Sequence, residues 1–279
     1  MKTKTYQLFA VGIVALAMSN FPVRAAYVDI TVNDGSPNAN YGADPRAGIN
    51  ESGETEANCV SNASWDLRAI AFDVNTNKLM VVSGFNPLSQ IDNIGIGDIF
   101  IDTNNSFVVP NRPVASNGFY NYSNSSVGYE YAIDLISPSN GGYGYNIVAL
   151  SGASTMRTGE YNQNALSDPA SLVATGADTI LASGFFNLTT KTDAQVLADL
   201  GINIGTNGGT NYVFTFDLSS ASLSNGATFR LTQECGNDLL VGHLAAGVAA
   251  VPETSTWVMG FLALGAVGFM VRRNAKLTA

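Results

Sequence analysis

The chain has 279 residues and is acidic, with 22 Asp and Glu against 13 Lys and Arg. Between residues 26 and 250 there are 21 acidic and 7 basic residues, a surface that repels phosphate backbones and argues against nucleic acid as a partner. Charged residues make up only 13%, about half the usual quarter, and Gly, Asn, Ser and Thr take their place, which suits strands and turns outside the cell better than a helical cytosolic enzyme.

The chain opens on Lys2 and Lys4, continues with an uncharged apolar stretch from Leu8 to Met18, and reaches Val23-Arg24-Ala25 after Asn20 and Pro22 break it. A charged start, a short apolar run and small residues at a cleavage point form a secretory signal, predicted over residues 1–25 with signal peptidase cutting after Ala25. The apolar run is too short for a permanent anchor, which needs about 20 residues.

Residues 26–243 are expected to form one all-β domain, a single jelly-roll-like β-sandwich with one short helix. The leading signal is period-two alternation. Tyr27 to Val32 reads as a first strand, and the Asn-, Gly- and Pro-rich residues 33–58 as a long loop. Arg68 to Val74 places Ile70, Phe72 and Val74 on one face, and Asn75-Thr76-Asn77 turns the chain into a return strand, Lys78 to Ser83. Further strands are expected at Gly97–Asp102, Tyr129–Leu135, Tyr145–Leu150, Tyr212–Leu218 and, last in the chain, Thr228–Gln233. The helix is predicted after Thr192, where Thr192-Asp-Ala-Gln195 has capping-box form. Val196, Leu197 and Leu200 then make an apolar stripe that stops at Gly201. A small, apolar linker is expected at residues 244–250.

Cys59 and Cys235 fit neither a CxxC nor a zinc spacing. In an oxidising compartment they read most simply as one disulfide. Closing so long a loop would stabilise the fold by roughly 4–5 kcal/mol on chain entropy. Two buried thiols are the competing reading.

Catalytic parts are sparse. The single histidine, His243, has no GxSxG elbow to complete a triad, and there is no HExxH, Walker loop or dinucleotide fingerprint. Gly95-Ile-Gly97 reads as no more than a bend. The domain is therefore expected to be non-catalytic and without a cofactor, with Ca2+ as the one candidate ion. Asp102, Asn104 and Ser106 sit at i, i+2, i+4 where a strand meets a loop, with Asp98 upstream, and hard oxygens at that spacing can converge on calcium. An Asx-rich turn explains the same residues. Tyr129, Tyr131, Tyr143 and Tyr145 are candidates for stacking on sugar rings, which would make the domain a carbohydrate-binding module held in exopolysaccharide. Alternation at these positions equally describes a core layer. A third alternative is a jelly-roll glycoside hydrolase or lyase, which would need two carboxyls about 5–9.5 Å apart in an open groove.

The C-terminus has three parts. Val251-Pro252-Glu253-Thr254-Ser255-Thr256 is held extended around its proline. Trp257 to Val271 is uncharged and glycine-containing, and as a helix would span about 22 Å, short of the ~30 Å hydrocarbon core. Arg272, Arg273 and Lys276 follow, placing that end in the cytoplasm by the positive-inside rule. A short, weakly held span after a cuttable stretch behaves as a temporary stop; an ordinary single-pass anchor is the alternative.

In that order, residues 251–276 resemble the PEP-CTERM sorting tail of Gram-negative bacteria, also described as an ice-binding protein C-terminal domain. The family's usual second proline is Thr254 here. The resemblance implies recognition by an exosortase at Val251, Pro252 and Glu253, a helix beginning at Trp257, and a cytosolic stop at Arg272 and Arg273. It further implies transient residence in the inner membrane, then release to the outer surface or extracellular polysaccharide. The segments Asp66–Asp73, Gly97–Asp102, Tyr129–Asp134 and Gln233–Asp238 resemble a body type that recurs among exosortase targets and implies a β fold and surface location only.

Overall fold

The computed structural model describes residues 27–34, 66–88, 95–108, 120–136, 144–158, 169–173, 178–204, 209–234 and 239–247. The signal segment, Cys59, Tyr143, Cys235 and the tail lie outside the described residues. No helix among the described residues is long and apolar enough to cross a membrane.

The described chain is an antiparallel all-β sandwich with one helix. One face layer is a five-stranded sheet made, in spatial order, of β1 (Tyr27–Asp29), β3 (Leu67–Asp73), β4 (Lys78–Ser83), β13 (Asn211–Asp217) and β12 (Asn187–Lys191). The other is a seven-stranded sheet of β11 (Thr179–Phe185), β8 (Gly144–Ala149), β7 (Tyr131–Leu135), β5 (Ile96–Asp102), β14 (Ala227–Gln233), β15 (Leu239–Leu244) and β2 (Thr31–Asp34). The two share a core in which Ile70, Phe72, Val81, Phe214 and Phe216 of the first sheet meet Ile99, Ile101, Ile133, Ile147, Phe229 and Leu231 of the second. Phe72 and Phe229 stack across it with ring centroids 6.1 Å apart.

Both outer faces are also covered in part. Helix α1 (Asp193–Leu200) and the segment after it bring Val196, Ile202 and Ile204 onto Ala69, Ala71, Met80, Val82 and Val213 of the five-stranded sheet. A three-stranded sheet of β10 (Pro169–Val173), β9 (Thr155–Thr158) and β6 (Asn121–Ser123) lies over the seven-stranded one. Between them Tyr122 and Met156 pack on Phe100, Val127, Tyr129 and Ala132. This is why β3 and β5 are buried at every residue: a strand covered on both faces loses the in-out pattern of a half-buried one.

The capping box forms as expected. The Thr192 hydroxyl accepts from the Gln195 N–H, the Gln195 side chain accepts from the Thr192 N–H, and Gly201 closes the helix in the left-handed region at φ 74°. Leu197, expected in the apolar stripe, instead faces solvent, while Val196 is buried and Leu200 packs at the edge of the cluster. At 100° per residue, Val196 and Leu200 share a face that Leu197 leaves. Beneath the helix start Arg68 is wholly buried. Its Nε donates to Asp66 at 2.8 Å, Nη1 donates to Asn211, and Asp193 lies 3.5 Å from Nη1.

Three expectations are corrected. The first strand is two strands, β1 and β2, which part at Ile30 and join different sheets. Thr228–Gln233 is not the last strand, since β15 follows it; Leu244, expected to begin the linker, is a buried core residue ending β15. Gly97 is more than a bend. A Cβ there would stand 2.2 Å from the Thr232 carbonyl oxygen and 2.3 Å from that of Ala170, so its missing side chain is what lets β10 rest on β5.

Candidate functional site

The loop after β5 is a carboxylate-capped turn. Asp102 Oδ1 accepts from the backbone N–H groups of Asn104 (3.1 Å) and Ser106 (3.2 Å), and Oδ2 accepts from that of Phe107 (3.0 Å). Asn105 takes the left-handed conformation at φ 58° that the turn requires. Glu130 holds the loop from the side, accepting from Thr103 N at 2.7 Å and from the Asn104 amide. The Ser106 hydroxyl donates to the Gly128 carbonyl at 2.8 Å. Asp98 lies four residue steps before Asp102, about 13 Å along β5. Asp98 Oδ1 and Oδ2 instead accept from Leu135 N and Leu172 N, each at 2.7 Å. The four candidate calcium ligands are therefore not brought together, and the Asx turn accounts for three of them. Among the described residues no three His, Cys, Asp or Glu side chains group as a metal would need.

Two of the candidate tyrosines, Tyr129 and Tyr145, are core. Tyr129 is 2% exposed and does not continue the β7 alternation. Its ring lies between Phe100 and Phe107, at 5.2 and 5.0 Å, with the Arg230 guanidinium 4.2 Å over Phe107. Tyr145 is buried edge-on to Phe216 at 5.2 Å, and its hydroxyl accepts from Asp217 N at 2.9 Å. Neither ring can receive a sugar. Tyr131 is half-buried against the central core, with its hydroxyl 3.4 Å from Ser222 N. His243 is exposed on β15 and its Nδ1 pairs with the Thr228 hydroxyl at 3.1 Å. It stands within a strand, not beside a linker.

A polar row crosses the outer face of the seven-stranded sheet, and periodicity alone did not reveal it. Register places Asp134 of β7 opposite Asn146 of β8, and Asn146 opposite Ser183 of β11. The Ser183 hydroxyl donates to Asn146 Oδ1 at 2.6 Å, and Asn146 Nδ2 donates to Asp134 Oδ2 at 3.3 Å. Extending the β5–β7 register beyond Ile99–Ile133 puts Asp98 beside Asp134. The row runs from buried Asp98, through half-buried Asp134 and Asn146, to exposed Ser183. Burial, then the neighbouring Asp134 charge, pushes the Asp98 carboxyl up to about 8, against the two N–H bonds that favour its ionised form. Burial raises Asp134 as well, opposed by the Asn146 bond and aided by Asp178. Each residue is an isolated polar position in an apolar strand; only strand order aligns them.

No protein family, curated protein or solved structure matches the chain.

Proposed function

We propose that this is an exported bacterial surface or extracellular-matrix protein whose β-sandwich body performs no catalysis and whose tail is a sorting signal. The observation that carries the proposal is the order of the last residues: Val251-Pro252-Glu253, an apolar segment from Trp257 to Val271 too brief to hold permanently in a bilayer, then Arg272 and Arg273. The secretion machinery exports the chain, signal peptidase removes residues 1–25, the tail stops in the inner membrane, and an exosortase releases the body at the Pro252-Glu253 motif. The acidic, charge-poor body suits an extracellular setting. A jelly-roll reading of the body is supported by ribbon-like pairing: β4 pairs β13 and β5 pairs β14, while β4 to β5 and β13 to β14 each pass between sheets.

Mass spectrometry of the mature ends is the test. The expected product begins at Ala26 and lacks the segment from Trp257 onward. An intact full-length polypeptide recovered from the cytosol would overturn the proposal.

A further inference from the structure

We propose that the outer face of β7, β8 and β11 is a binding site for a neutral oligosaccharide, with Phe185 as its stacking platform and Asp134, Asn146 and Ser183 as its hydroxyl-binding row. Phe185 is 80% exposed, and its ring stacks on no other aromatic ring among the described residues. A large aromatic left in water has a substantial apolar surface still to bury. Ser183 lies two residues before it on β11, so the two side chains share a face about 7 Å apart, close to the width of one pyranose ring.

The next row supplies the floor. Phe185 stands opposite Gly144 of β8. A Cβ on Gly144 would reach the Ile136 side chain at 3.3 Å, so Ile136 leans over the buried glycine and continues an apolar surface toward Phe185. An apolar row, Ile136–Gly144–Phe185, therefore runs beside a polar one, Asp134–Asn146–Ser183. Sugars present this same pair of surfaces, an apolar ring face and a hydroxyl rim. The polar row keeps capacity for such a rim. Asp134 Oδ1 is an acceptor, Asn146 Nδ2 has a second N–H, and the Ser183 oxygen has lone pairs. The Ser183–Asn146–Asp134 bonds hold these groups in place before a ligand arrives. Charge selects among glycans: Asp134 in the row and a chain net charge of −9 repel uronates and sulfated sugars and leave neutral ones.

This proposal is independent of the sorting reading, since it is tested on purified protein whatever becomes of the termini. The full-length chain in mild detergent is titrated calorimetrically with β-1,4- and α-1,6-linked glucose hexamers and with a galacturonate hexamer. At least one neutral hexamer is expected to bind and the uronate not to. Phe185→Ala should weaken binding at least tenfold and Asn146→Ala several-fold, whereas Phe185→Trp and Tyr131→Phe should preserve it. Because Phe185 is exposed, its variants should melt with the wild type. Failure of both neutral hexamers to bind, or equal binding by Phe185→Ala and wild type, overturns the proposal. So does a Phe185→Ala variant that dissociates a self-associated species while leaving sugar affinity unchanged, which would make the ring a contact between copies.

Discussion

The carbonyl of Ile30 accepts the His243 N–H at 2.7 Å in the seven-stranded sheet, while the Ile30 N–H donates to Ile70 at 3.0 Å in the five-stranded one. One residue thus bonds both layers, and β1 and β2 are one chain passing across the rim of the sandwich. The opposite rim is crossed in the same way, where β11 gives way to β12 at buried Phe186. Chain continuity at both rims shortens the edges that an open sandwich would expose to other chains.

Thr31 extends the first crossing. Its hydroxyl accepts from Ile70 N at 2.9 Å and donates to Ile70 O at 3.2 Å, standing in for a strand partner. Thr31→Val keeps the shape and removes both bonds, leaving the Ile70 amide buried without a partner. The expected loss is about 1–3 kcal/mol, read as a lower urea midpoint with an unchanged m-value.

Gly97 is a second point of close approach. Gly97→Ala sets a methyl carbon against the carbonyls of Ala170 and Thr232, neither of which can rotate away. The expected cost is about 3 kcal/mol, the upper end for overpacking. β10 should move off β5, raising amide exchange at Leu172 ahead of the central core strands; uniform exchange across the domain would count against this account.

Asp98 makes stability depend on pH. Its carboxyl titrates near 8 when folded and near 3.8 when unfolded, so between these values the folded chain holds one proton more. That contribution is complete below about pH 4 and is lost as pH rises through 8, by at most about 1.4 kcal/mol per pH unit. Asp134 and Glu234 face the same carboxyl and act in the same direction. Asp98→Asn should flatten this segment of the stability curve while sacrificing one of the two bonds from Leu135 and Leu172, since an amide nitrogen cannot accept. Asp134→Asn should draw the upper end of the window downward. Urea melts from pH 4 to 9 measure both; equal slopes in wild type and Asp98→Asn would refute the assignment.

Strands with local periodicity and turns with local hydrogen-bonding chemistry are readable from residues; short strands, edge strands and the double covering of β3 and β5 are not. The face of Ile70, Phe72 and Val74, the Asn75–Asn77 turn, the Phe214–Phe216–Leu218 face and the Thr192 cap follow from local periodicity and hydrogen-bonding chemistry. The three-stranded sheet does not: β6 and β9 have three and four residues, too few to display a period, and β10 begins on a proline. β11 is exposed at an edge, so its residues alternate weakly. Ile30 continues an apparently unbroken strand, and nothing local marks it as the crossing point. Asp134, Asn146 and Ser183 become a row only through the pairing of three strands. Alternation extends the β7 strand to Tyr129, but the strand begins at Tyr131, and the Tyr129 ring, a core residue, packs into the cluster on the outer face.

Asp102 separates the turn from the metal reading. Both of its oxygens already serve N–H groups of their own loop, so the turn is ordered by its own bonds without an ion. Millimolar CaCl2 is therefore expected to leave the melting temperature unchanged, and EDTA likewise. Asp102→Ala should cost about 1–3 kcal/mol, because three backbone donors lose a charged acceptor. Asp102→Asn should recover part of that, since an amide oxygen still accepts from Asn104 and Ser106. A rise in melting temperature with calcium that vanishes in Asp102→Asn would instead make the loop an ion site.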